Sequence, residues 1–179
     1  GSELDDISVG SLSDKRYYMV LGDMRKGTGS HGSTIRLNAD TGTNYAVRRN
    51  GNGGTDNTNT SLADAYITDT RSAHNFNVTY VSSLATKEKL WINQNVNQNT
   101  AGAGTAPARE EGVGKWANTS NAMSTFAYHS WDQEYGTGSE CVVLGWDPAD
   151  EHTSNFWEEL ASVTTTGALA TVDSGVFTS

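Results

Sequence analysis

Alternation of apolar and polar side chains dominates this chain and predicts strands rather than helices. In Lys15–Met24, Tyr17, Met19 and Leu21 fall on one face and Tyr18 and Val20 on the other. Apolar residues on both faces predict a strand covered on both sides. Ser33–Asn38 sets Ile35 and Leu37 against Thr34 and Arg36, a half-buried strand. Tyr45–Arg49 reads as the next, with Tyr45 and Val47 inward. Over 73–82, Phe76, Val78 and Tyr80 alternate with Asn75, Asn77 and Thr79. Lys87–Val96 repeats the pattern, with Leu90, Ile92 and Val96 against Lys89, Trp91 and Asn93. Ala117–Ser124 leads into Thr125–Trp131, where Phe126 and Tyr128 share a face. Cys141–Trp146 is apolar and β-branched, a buried strand. Leu62–Thr70 fits either a helical turn or a strand. In Asn155–Val163, Phe156, Trp157 and Leu160 have helical spacing, but Val163 runs on into Thr164–Thr166, and the β-formers favour a strand.

Between these runs lies turn chemistry. Lys26–Ser33 carries Gly27, Gly29 and Gly32, and Asn38–Asn44 reads Asn-Ala-Asp-Thr-Gly-Thr-Asn. Asn50–Ser61, without an apolar residue, and Asn97–Gly114, with Pro107, read as long surface loops. Asp132–Gly138 is a turn and Asp147–Ser154 an acidic loop. Residues 1–14 read as an N-terminal arm, 15–163 as the domain and 164–179 as a tail. Seven to nine strands with no strong helix predict an all-β fold, an antiparallel, jelly-roll-like β-sandwich.

Composition agrees. The 179 residues are 35% hydrophobic and 18% charged, which suits a thin core seeded by 5 Trp, 7 Tyr and 4 Phe. A net charge of −9 argues against nucleic-acid binding, which needs a cationic face, and against anionic membranes. No apolar run approaches the roughly 20 residues of a membrane span, so no membrane insertion is expected. The polar, acidic start Gly1–Ser11 does not read as a signal peptide. A single cysteine, Cys141, excludes an intrachain disulfide framework and a Cys-based zinc site. Within Cys141–Leu144 it reads as a small core residue.

The search for chemistry yields no catalytic, cofactor-binding or metal-binding residue. His31, His74, His129 and His152 are scattered, and His129 reads as a strand-edge residue. Nucleophile-elbow, zinc-protease and phosphate-loop motifs are missing from the sequence, and Gly51–Gly54 is not followed by a helix pattern. Asp147–His152 offers oxygen ligands of the kind calcium prefers but lacks EF-hand spacing, so it reads as a solvated loop. Glu158 and Glu159 are adjacent; on a strand they point to opposite faces and cannot flank one glycosidic bond. Asn59, Asn77 and Asn118 stand in Asn-x-Ser/Thr sequences that such a composition produces by chance. Of the tryptophans, Trp131, beside the Asp132–Tyr135 turn, is the one that would suit sugar stacking.

Three segments carry a resemblance. Ile35–Ala46, with its Asn-Ala-Asp-Thr-Gly-Thr-Asn-Tyr turn, resembles a segment of virion structural proteins of tailed phages and related viruses. Ala117–Ser120 and Gly138–Gly145 resemble two later pieces of the same group, in order and spacing over 15–163. The chain departs in having Leu37 where Phe is common, and in continuing past Gly145. The resemblance implies a non-enzymatic virion structural protein at the particle surface, a capsid decoration, fibre or tail-associated component. Its implied partners are itself, as a trimer or other cyclic homo-oligomer, and capsid or tail proteins. Alternatives on the same fold are a carbohydrate- or receptor-binding module that contacts a host-surface glycan, or a subunit of an extracellular filament or surface layer. No cofactor is expected.

Overall fold

The computed structural model describes residues 6–148 apart from 26, 28–31, 69–73, 99 and 131–134. Within these lie eleven strands and no helix: β1 (Asp6–Val9), β2 (Tyr17–Arg25), β3 (Ser33–Leu37), β4 (Tyr45–Gly51), β5 (Asn57–Leu62), β6 (Ala65–Thr68), β7 (His74–Ser82), β8 (Lys89–Gln98), β9 (Ala108–Trp116), β10 (Phe126–Ser130) and β11 (Glu140–Trp146). They form two antiparallel sheets, one ordered β1-β10-β3-β6 and the other β11-β2-β7-β8-β9-β4-β5. The chain switches sheets at each step from β1 to β4, then again around β6 and around β10. This is the expected jelly-roll-like sandwich, with the second sheet widened by the β8–β9 hairpin and by β11.

Three strands lie where the sequence pattern predicts loop or arm. β5 occupies the end of the Asn50–Ser61 stretch, and β9 the end of the Asn97–Gly114 stretch. β5 is an edge strand open to solvent on most positions, so it needs no apolar side chains, only a backbone ladder to β4. The turn leading to it is built by Asn52 and Gly53, both at positive φ (52° and 73°), with the Gly54 N–H donating to the Gly51 carbonyl. β9 is disguised by its glycines. Gly114 pairs with Trp91 across the ladder, and a Cβ there would collide with the indole ring. β1, inside the 1–14 segment, pairs with β10.

The core joins both sheets. Trp91, Tyr45 and Trp116 cluster with ring centroids 6.3 and 6.5 Å apart. Tyr128 of β10 reaches across to Gly22 of β2, where an added Cβ would come within 2.6 Å of its ring. Val20, Ile35, Leu37, Ile67, Val81 and Phe126 fill the remainder, and Tyr45 and Val47 point inward as expected. Lys89 is fully buried at one end. Its ammonium donates to the carbonyls of Ala85, Lys87 and Asn118 at 3.2, 3.0 and 2.9 Å, and so ties two loops together. Burial holds its pKa below the ordinary lysine value, opposed by the charge of Asp14.

The Asn38–Asn44 turn is a structural clamp. The Asn38 carboxamide accepts from the Ser124 and Thr125 N–H groups (2.7 and 3.0 Å) and donates to the Ala122 carbonyl (2.8 Å). Asp40 accepts from the Gly42 N–H (2.8 Å), the Asn44 amide (2.9 Å) and the Trp116 indole N–H (2.6 Å). The turn is thereby fastened to β9 as well as to the segment before β10. Partial desolvation raises the Asp40 pKa, but the bonds from Trp116, Asn44 and Gly42 outweigh it and hold the carboxyl below its ordinary value. A folded-state pKa below the unfolded one stabilises the fold above the unfolded value, near about 3.9, and that stability is lost as pH falls through the folded value. Asp40→Asn is therefore expected to cost about 1 kcal/mol at neutral pH. It should also flatten the acid limb of a stability–pH profile measured by urea unfolding, and an unchanged limb would contradict the assignment.

Candidate interaction surface

In the seven-stranded sheet the side-chain period of two makes an unusual choice. Trp91 and Val81 lie directly opposite each other on β8 and β7, and both are buried between the sheets. Every second residue must follow them inward. On β7 these are Asn75, Asn77 and Thr79, and on β8 Asn93, Asn95 and Asn97, all buried. They pair in large part with one another: the Asn93 amide donates to Asn77 (2.7 Å) and Thr79 (2.8 Å), Asn77 donates to Asn75 (3.0 Å), and Asn97 donates to Asn95 (3.2 Å), while the Asn75 amide nitrogen and the Asn93 carbonyl oxygen are buried with no partner among the described residues. Asn95 also donates to Asn75, and Thr68 of the facing sheet reaches Asn95 at 3.5 Å. One end of this sheet's inner face is thus aromatic and the other a layer of asparagines, which Tyr128 of the facing sheet meets at Thr79.

The apolar half of the alternation points out. Leu90 and Ile92 are 56% and 55% exposed, Tyr80 49% and Phe76 43%, with Val96, Val113 and Val142 also exposed. Strand register lines them up. Leu144, Met19, Tyr80, Ile92 and Val113 form one row across five strands, which ends at Arg48 of β4. A second row runs Trp146, Tyr17, Ser82, Leu90, Lys115, and the Tyr17 and Trp146 rings stack at 5.5 Å. A third runs Glu140, Asp23, Phe76, Val96, Arg109, acidic at one end and basic at the other. From Tyr17 of β2 across to Thr58–Thr60 of β5 the sheet curves into a hollow of about 790 Å³, with Leu90, Ile92, Val113 and Ala46 on its floor and Arg48 and Lys115 on its rim. A contiguous apolar surface of this kind marks a contact site.

The other candidates fall elsewhere. Cys141 is half-buried against the core, and burial pushes its thiol pKa up to about 12, in keeping with a packing role. His129 pairs with Asp6 across the β1–β10 ladder and His74 with Asp23, each at 2.6 Å. The structure does not bring these two pairs together. Among the described residues no group of His, Cys, Asp and Glu could hold a metal ion. Asn77 is wholly buried, whereas Asn118 caps the Ser120 and Asn121 N–H groups. Trp131, His31, His152, most of the Asp147–His152 loop, Glu158, Glu159 and the Phe156–Val163 segment lie outside the described residues.

Sequence reasoning finds the strands that build this face but not the face itself. The signal was the apolar residues on both sides of Tyr17–Met24, which predict cover on both sides. Within the described residues only the inner side of β2 is covered. No family model matches the chain, and no curated protein and no solved structure matches it either.

The two faces can be told apart by substitution. Asn77→Ala removes a buried group that both donates and accepts, and it should lower unfolding free energy by about 1–3 kcal/mol. Phe76→Ser next to it removes an exposed aromatic and should cost no more than about 0.5 kcal/mol. Chemical denaturation reads both; the reverse ranking would mean that the sheet faces are assigned the wrong way round.

Proposed function

We propose that the protein is a non-enzymatic structural subunit of a virion, carried on the particle surface, that works by packing against copies of itself and neighbouring capsid or tail proteins. The observation that carries the reading is the outward apolar face. Leu90, Ile92, Tyr80, Phe76 and Val113 gain nothing from water, and a sequence that turns asparagines inward to present them is built for contact. The setting comes from the Asn38–Tyr45 turn and the Gly138–Gly145 strand, whose likeness to virion proteins extends in order along the chain. A broad apolar floor with charges only at its margins suits protein contact better than sugar binding, which needs convergent polar groups beside an aromatic ring. The net charge of −9 keeps such a subunit soluble at high copy number.

The purified chain, mixed at micromolar concentration with particles that lack it, is expected to co-sediment with them and to restore their resistance to heat or chelation. Failure to bind particles at any accessible concentration would remove the virion assignment.

A further inference from the structure

We propose that the outer face of the seven-stranded sheet is covered by the same face of a second copy, related by a two-fold axis that runs parallel to the strands between β7 and β8. This rests on the contact-making role proposed above and gives it a surface and a geometry.

Size is the first argument. Six strands, β11 through β4, at about 4.8 Å spacing and about eight residues each, give a face of roughly 29 by 26 Å, or about 750 Å² per copy. A pair would bury on the order of 1,500 Å², within the range of stable, specific interfaces. Aligned packing of two sheets about 10 Å apart is the ordinary way to bury such faces.

Charge is the second. A two-fold along the strands exchanges the β11 and β9 sides while keeping each row level. Glu140 and Asp23 stand at one end of their row and Arg109 at the other. The rotation sets Asp23 of one copy against Arg109 of the second, where it joins Glu111, which already pairs with Arg109 at 3.5 Å within the chain. The perpendicular in-plane axis would instead keep each strand over its own mate with the rows reversed, which sets Arg109 over Lys115 of the other copy and leaves Glu140 and Asp23 over Trp146 and Tyr17. Shape follows the same rule. The hollow lies off-centre toward β9 and β4. The axis carries β2 and β11 of the other copy over it, with Met19, Leu144 and the stacked Tyr17 and Trp146 rings. At the centre Tyr80 meets Ile92, apolar against apolar. Isologous closure uses up this face in the pair and leaves none of it open for growth into fibres.

Sedimentation equilibrium on the full chain tests this. A species of twice the chain mass is expected, with a Kd at or below about 10 µM. Ile92→Glu should weaken it at least roughly a hundredfold while circular dichroism stays native, since Ile92 is exposed in the single chain. Arg109→Glu should weaken it several-fold, and adding Asp23→Arg, which the axis places opposite it, should restore it. A chain that stays monomeric at about 100 µM overturns the dimer, as does a dimer indifferent to Ile92→Glu or a monomer with a co-purified apolar small molecule seated on the face. A charge swap that fails to rescue overturns the axis. A monomer that still binds particles overturns the dimer alone and leaves the structural role intact.

Discussion

The structure depends on one geometric constraint: a strand cannot choose the face of each residue independently. Once Trp91 and Val81 are committed to the interior, the pleat commits Asn93, Asn95, Asn97, Asn77 and Asn75 with them. The commitment is strong because Trp91 fits a site with no alternative. Its ring lies over Gly114, beside Tyr45 and near Trp116, and few other positions would accept an indole. Truncating such a residue costs about 3–5 kcal/mol, more than the net cost of burying amides that hydrogen-bond one another. The asparagine layer is tolerable because most of its polar atoms pair within or across the ladder, leaving only the Asn75 amide nitrogen and the Asn93 carbonyl oxygen unpartnered among its described atoms. The apolar outer face is its direct consequence.

The same constraint explains what the sequence could and could not convey. Alternation in 73–82 and 87–96 locates β7 and β8 almost to the residue, but a period of two names two faces without saying which is inside. Counting apolar side chains favours Phe76, Val78 and Tyr80 as the inner set, whereas a single Trp91 decides otherwise. β5 is invisible because an exposed edge strand needs only backbone pairing, and Asn57–Ser61 looks like any polar loop. β9 is obscured because Gly112 and Gly114 are read as breakers, although Gly114 is there to admit a neighbour's ring. The Asn38–Asn44 turn was legible as a turn. Its clamping role was not, since Trp116 and Thr125 are far away in sequence.

The division of labour between the two sheets follows. The four-stranded sheet supplies Ile35, Leu37, Phe126 and Tyr128 to the core, and the polar clamps hold its rim. The wider sheet closes the core on one side and presents apolar rows on the other. Its outer edge at β5 is polar and exposed, which discourages sheet extension, so contact is directed to the face rather than to the edge. A protein that meets partners through a face needs rigid rows at fixed spacing, and a seven-stranded antiparallel sheet supplies them.

Solvent access at the asparagine layer tests the account most directly. In a nuclear magnetic resonance experiment with a soluble paramagnetic agent, the side-chain amides of Asn77, Asn93 and Asn95 should stay sharp and exchange slowly with water. Exposed Asn121 should broaden and exchange fast. The result does not depend on association, because the layer lies between the sheets of one chain. If those three amides broaden and exchange like Asn121, the asparagines face solvent, and the outward apolar face does not exist.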